Sequence, residues 1–144
     1  WGDAPGFLHP DGRRGPNWYY GQKINQRIIK LAPILTTLTS TGVYQIGSMP
    51  IGTIPLLPEA PIKSAEGGNM VIGCFEDPKG MVYVMPVNRS MHNAITATLT
   101  LDPKFKSVSV ISQETGEPSK PSAGSTFRVA LEAGEGKLFA LHTK

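Results

Sequence analysis

Between Asn17 and Leu38 the apolar residues Tyr20, Ile24, Ile28, Leu31, Leu35 and Leu38 recur at steps of four or three residues. Side chains spaced this way stack on one face of an α-helix. Gln22, Lys23, Asn25, Gln26, Arg27 and Lys30 supply much of the polar remainder. The pattern predicts one amphipathic helix. It starts either with Pro16 in the first turn, where the missing N–H is harmless, or with Asn17 as a side-chain cap. Pro33 removes a backbone hydrogen bond and crowds the carbonyl of Ile29, which predicts a kink. The run from Thr36 to Gly42 then stops the helix.

Beyond Gly42 the helical period disappears. Val43 to Ile46 reads as a first strand, and the segment from Gly47 to Gly68, with four prolines between Pro50 and Pro61, as an extended connection over a sheet edge. Asn69 to Phe75 is apolar on both faces, as a strand covered on both sides would be. Glu76 to Gly80 is a turn, with proline and glycine where a reversal uses them, and Met81 to Val87 is the return strand. In Ala94 to Leu101 the residues Ile95, Ala97, Leu99 and Leu101 alternate with threonines. Val108 and Val110 mark a short strand from Ser107 to Ile111, and Pro118 to Gly124 a polar loop. Phe127, Val129 and Leu131 share one face of the next strand. Gly134-Glu135-Gly136 turns the chain into a last strand, Lys137 to His142, with Phe139 and Leu141 inward. Short strands at regular spacing with turns between them predict an antiparallel β-sandwich. The expected fold is therefore mainly β, with one long amphipathic α-helix ahead of the sandwich.

The totals change this picture little. A chain of 144 residues suits one core without disulfide staples, and its single cysteine, Cys74, cannot form an intrachain bridge. The net charge of +3 is spread out, with Arg13-Arg14 the one basic doublet, so a nucleic-acid partner is not expected. No apolar run approaches the roughly 20 residues of a membrane span. Trp1 opens the sequence in place of Met, and the chain reads as a piece of a longer or processed protein. Its compartment is unknown; periplasm or secretion would follow from a signal peptide upstream.

Candidate chemistry is sparse. His9, His92 and His142 lie far apart and lack neighbours at metal-ligand spacing, so neither metal nor cofactor is expected. Cys74 sits in an apolar strand and reads as a small core residue. Paired carboxylates would matter for glycoside hydrolysis. However, Glu76-Asp77 occupies a hairpin turn and Glu132 and Glu135 flank another, where solvation keeps acidity ordinary. Asn88-Arg89-Ser90 matches a glycosylation sequon. Trp18, Tyr19 and Tyr20 are read as anchors of the helix start into a core. Trp1, on a loop leading into the helix, is the residue placed to face a ligand.

These phrases resemble the end of a (β/α)8-barrel glycoside hydrolase of the β-galactosidase-like kind. Gly6, Asp11-Gly12, Tyr20, Ile24-Asn25, Ile28, Leu31, Pro33 and Leu35 match the last barrel loop and helix. Met85 to Ser90, Ile95 to Leu101, Thr115-Gly116-Glu117 and Leu131 to Leu141 resemble the C-terminal β-sandwich of such enzymes, with Ala133 where proline is usual. The resemblance implies a division into 1–40, the final loop and helix of a catalytic barrel, and 41–144, the sandwich. It implies that the catalytic carboxylates lie upstream, so this chain has no catalytic residue of its own. Trp1 would form a platform beneath the substrate sugar. The implied partner is the remaining barrel polypeptide, packed on Tyr20, Ile24, Ile28, Leu31, Leu35 and Leu38. A carbohydrate-binding module that stacks sugars on aromatic rings is the alternative, and an unrelated adhesive or structural sandwich a third.

Overall fold

The computed structural model describes residues 6–144. Helix α1 runs from Pro16 to Leu35, with Gly15 in extended conformation before it and Pro16 in the first turn. Of the two starts open to the sequence, proline in the first turn is the one adopted. The helix continues through Pro33 and ends two residues later. Thr36 closes it, donating from its N–H (3.0 Å) and its Oγ1 (2.7 Å) to the carbonyl of Ala32.

Nine strands follow: β1 (Thr39–Ile46), β2 (Ile62–Glu66), β3 (Met70–Glu76), β4 (Val82–Asn88), β5 (Ile95–Leu101), β6 (Ser107–Val110), β7 (Ser122–Ala123), β8 (Thr126–Leu131) and β9 (Phe139–His142). They form a six-stranded sheet in the order β1-β3-β4-β9-β6-β7 and a three-stranded sheet in the order β2-β5-β8. All the strand pairs are antiparallel. The expected mainly β fold with one preceding helix is the fold observed.

The two sheets close on one dry layer. Ile72, Cys74, Val84 and Leu141 of the larger sheet meet Ile62, Leu99, Leu101 and Leu131 of the smaller, all at most 1% exposed. The alternation of Ala97, Leu99 and Leu101 against threonines places that face inward as read from the sequence. The Phe127 and Phe139 rings bridge the sheets with centroids 4.9 Å apart. The expected hairpin is present. Asp77 organises its turn by accepting the N–H groups of Lys79 and Met81 on Oδ1, at 2.8 and 2.9 Å. Gly80 supplies the positive φ of 81° that the reversal requires.

Three local expectations need correction. β1 begins at Thr39, four residues before Val43, because β-branched threonines extend readily once the helix has stopped. The expected division after residue 40 therefore falls inside β1. The connection from Gly47 to Gly68 drapes the β1 edge only in its first half, where Gln45 N–H donates to the Ile54 carbonyl at 2.7 Å. Its second half forms β2, an edge strand with a register shift between Ile62 and Ser64 that blurs the alternation. Finally, β7 is a two-residue edge inside the expected polar loop.

Candidate functional site

The carboxylates considered from sequence are committed to turns. Asp77 holds the β3–β4 turn as described. Glu135 accepts the Glu132 N–H at 2.9 Å and lies 3.6 Å from Lys137 Nζ. His9 and His92 are exposed, while His142 Nε2 pairs with Ser109 Oγ at 3.0 Å. Among the described residues, no group of three or more His, Cys, Asp or Glu side chains could hold a metal ion. Among them too, no helix is long and apolar enough to cross a membrane. Burial on the inner face pushes the Cys74 thiol up to about 12, so the nucleophilic thiolate is suppressed there.

Asn88 is not presented as a glycan acceptor. It is 1% exposed, and its Nδ2 donates to the carbonyls of Asn93 (2.8 Å) and Glu132 (3.0 Å) while Oδ1 accepts the Ser90 N–H (2.9 Å). The residue is a buried clasp joining the end of β4 to the end of β8. Trp1 lies outside the described residues.

The aromatic cluster departs from its expected role. Tyr19 and Tyr20 are exposed, and Trp18 is half-buried with the Arg14 guanidinium 4.8 Å from its ring centre. No core of the described chain reaches the helix start, so these residues anchor nothing there. Within the sandwich, Tyr44, Phe105 and Phe139 are buried, while Phe75, Tyr83 and Phe127 are half-buried. The Tyr44 hydroxyl is pushed above its usual value by burial first, then by the nearby Cys74 and Glu59.

The helix itself is the feature that stands out. Its C-terminal end lies on the outer face of the larger sheet. Leu31, 4% exposed, packs with Ile111, Leu138 and Ala140, flanked by Ile34, Leu35, Leu38, Tyr83 and Met85. Leu38 keeps its place in this cluster although it follows the helix. On the flank, the loop after β6 meets the helix backbone. A Cβ on Gly116 would stand 2.3 Å from the Lys30 carbonyl oxygen, so only glycine fits there. Toward the N-terminus the same stripe continues outside any buried cluster of the described residues. Ile28, Ile24 and Tyr20 are 52%, 56% and 68% exposed. The sheet ends before the helix does, because a 20-residue helix is about 30 Å long. Of the six stripe residues, three are taken up by the sandwich and three project past it.

The stripe was legible from its period. The loop from Gly47 to Pro55 was not, since its apolar residues follow no repeat. It nevertheless displays Met49, Ile51 and Ile54 to solvent. Comparison with known proteins adds no relative: no protein-family model, curated protein or solved structure matches the chain.

Proposed function

We propose that this chain is the non-catalytic C-terminal segment of a glycoside hydrolase, whose barrel is encoded upstream or supplied by a partner chain. The observation that carries this reading is the divided stripe of α1. One helical face has the apolar composition of a buried surface along its whole length, yet only three of its six stripe residues, Leu31, Leu35 and Leu38, find a partner in the sandwich. Burying an isoleucine stabilises by roughly 1.5–3 kcal/mol, so a stripe of this kind is matched to a covering surface. In the barrel reading, that surface is the outside of the barrel wall, and the sandwich grips the last helix to buttress it. The resemblance of the helix phrase and the sandwich phrases supplies the identity of the partner. The carbohydrate-binding alternative has less support, because Tyr44, Phe105 and Phe139 point into the sandwich and offer sugars no platform.

Hydrolysis of a panel of chromogenic glycosides tests the proposal. The expected result is no hydrolysis by this chain alone and hydrolysis by the encoded protein that includes the upstream polypeptide. Activity of the isolated chain, or inactivity of the longer protein on every glycoside, would sink it. Oligosaccharide binding by the isolated chain would instead favour the module.

A further inference from the structure

Helix α1 carries three cations, Lys23, Arg27 and Lys30, and no Asp or Glu. The cations stand four and three residues apart, so they share one side of the helix, beside the apolar stripe. A rise of about 1.5 Å per residue spreads them over about 10 Å. Like charges at these spacings repel and work against the helix. Among the described residues the ion pairs are Arg13–Asp11, Lys63–Asp102 and Lys137–Glu135. The cations of α1 take part in none of them.

The loop after β6 forms a wall opposite this charged side. Helix and loop bound an open hollow of about 460 Å³, lined by Lys23, Gln26, Arg27, Lys30, Gln113 and Glu114. The loop holds its own shape. Ser112 N–H donates to the Glu117 carbonyl at 2.9 Å, and Gly116 N–H to the Ser112 carbonyl at 2.8 Å. Ser112 Oγ accepts the N–H groups of Glu114 and Thr115, both at 3.2 Å. Gln113 Nε2 donates to the Gly136 carbonyl at 2.6 Å, which ties the loop to the β8–β9 turn. The close fit of Gly116 against the Lys30 carbonyl joins loop and helix. The groove is therefore set by backbone and bonded side chains, and does not depend on where the lysine ends lie.

Charge decides what fits. No apolar side chain lines the hollow, which sets it apart from the stripe. Glu114 is the one carboxylate in its lining, so two of the three positive charges have no counter-charge there. Past Arg27 the groove continues to Glu135 and Lys137, which pair at 3.6 Å and offset each other. Arg27 lines both parts. Its planar guanidinium can hold a carboxylate, sulfate or phosphate through two parallel N–H donors.

We propose that the groove between α1 and the loop after β6 binds a ligand with two or more anionic oxygen groups. Arg27 is the central clamp, with Lys23 and Lys30 to either side. The site stands independently of the hydrolase reading.

Titration of the present chain with tripolyphosphate and with a galacturonic acid hexamer tests this, at low ionic strength and followed by backbone amide NMR shifts. At least one probe should saturate, shift the amides of Arg27, Gln113 and Glu114, and bind more tightly than inorganic phosphate. Saturation by tripolyphosphate alone would support a phosphate ligand, and by the hexamer alone an acidic carbohydrate. Arg27→Gln should weaken binding about tenfold or more. Glu114→Gln should tighten it a few fold by removing the opposing carboxylate. Lys120→Gln and Glu66→Gln make the same changes in net charge away from the groove and should leave binding unchanged. All four side chains are exposed, so the fold is not at stake. No saturation by either probe at millimolar concentration would overturn the proposal. Equal weakening by Arg27→Gln and Lys120→Gln would also overturn it, because the attraction would then belong to the whole chain.

Discussion

The two faces of the larger sheet are made by the same strands and meet different fates. On the inner face, Ile72, Cys74 and Val84 are at most 1% exposed beneath the smaller sheet. On the outer face the area under Leu31 is buried, whereas Val43 is exposed and Val71 and Phe75 are half-buried. Strand composition does not explain the difference, since β3 is as apolar outward as inward. The covering layer does: three strands span the inner face, whereas the described chain covers the outer one with the end of a single helix. The outer face is apolar in composition, yet the described residues cover only part of it.

The largest expected effect is on the inner face. Ile72→Ala removes a fully buried side chain between Tyr44 and Pro86 and should cost about 3–5 kcal/mol. Urea unfolding should show the whole chain losing stability together. Leu31→Ala, on the outer face, should cost less, about 2–3 kcal/mol, because the helix end can settle toward the sheet. Its signature is local, with faster hydrogen exchange along α1 and little change in β3. If Leu31→Ala destabilised as much as Ile72→Ala and did so globally, the two faces would be equivalent and the comparison would fail.

How much of this was readable in advance follows the same division. Strands of the inner layer announced themselves through alternation, as in Ala97, Leu99 and Leu101, because each had one wet and one dry side. β2 did not, because an edge strand with a register shift at Ile62 follows no simple period. The stripe of α1 was also legible, but where it changes from covered to bare was not. That point depends on where the sheet ends, which no local pattern records. The close approach of Gly116 to Lys30 escaped for the same reason, although Thr115-Gly116 was a visible turn. Trp1, the one residue assigned to a substrate site, falls outside the described residues.

A smaller effect reports how dry the inner face is. The Cys74 thiol ionises near 9.0 when free of the fold and is pushed up to about 12 within it. The folded chain therefore keeps a proton that the unfolded chain releases. This contribution to stability is complete below pH about 9 and is lost as pH rises from about 9 toward 12, by at most about 1.4 kcal/mol per pH unit. Cys74→Ala should flatten the alkaline decline of unfolding free energy. Tyr44, raised in the same direction, should keep part of it. Parallel declines in the two proteins would mean that water reaches Cys74, contrary to a sealed inner layer.

The smallest effect in this chain is the most informative about the outer face. Ile24 lies in line with Leu31 along α1 but is 56% exposed. Ile24→Gln exchanges one helix-compatible side chain for another at a position that touches no core, so the isolated chain should change by no more than about 0.5 kcal/mol. In the longer protein proposed above, the same substitution should cost about 1.5–3 kcal/mol, because there the side chain would lose a buried position. Leu31→Ala should show the opposite dependence, costing nearly the same in both proteins, since its partners Ile111, Leu138 and Ala140 are already in this chain. The informative quantity is the difference between the two contexts. A neutral Ile24→Gln in the longer protein would mean that the overhanging half of α1 stays in solvent, and the apolar period of the stripe would need another cause.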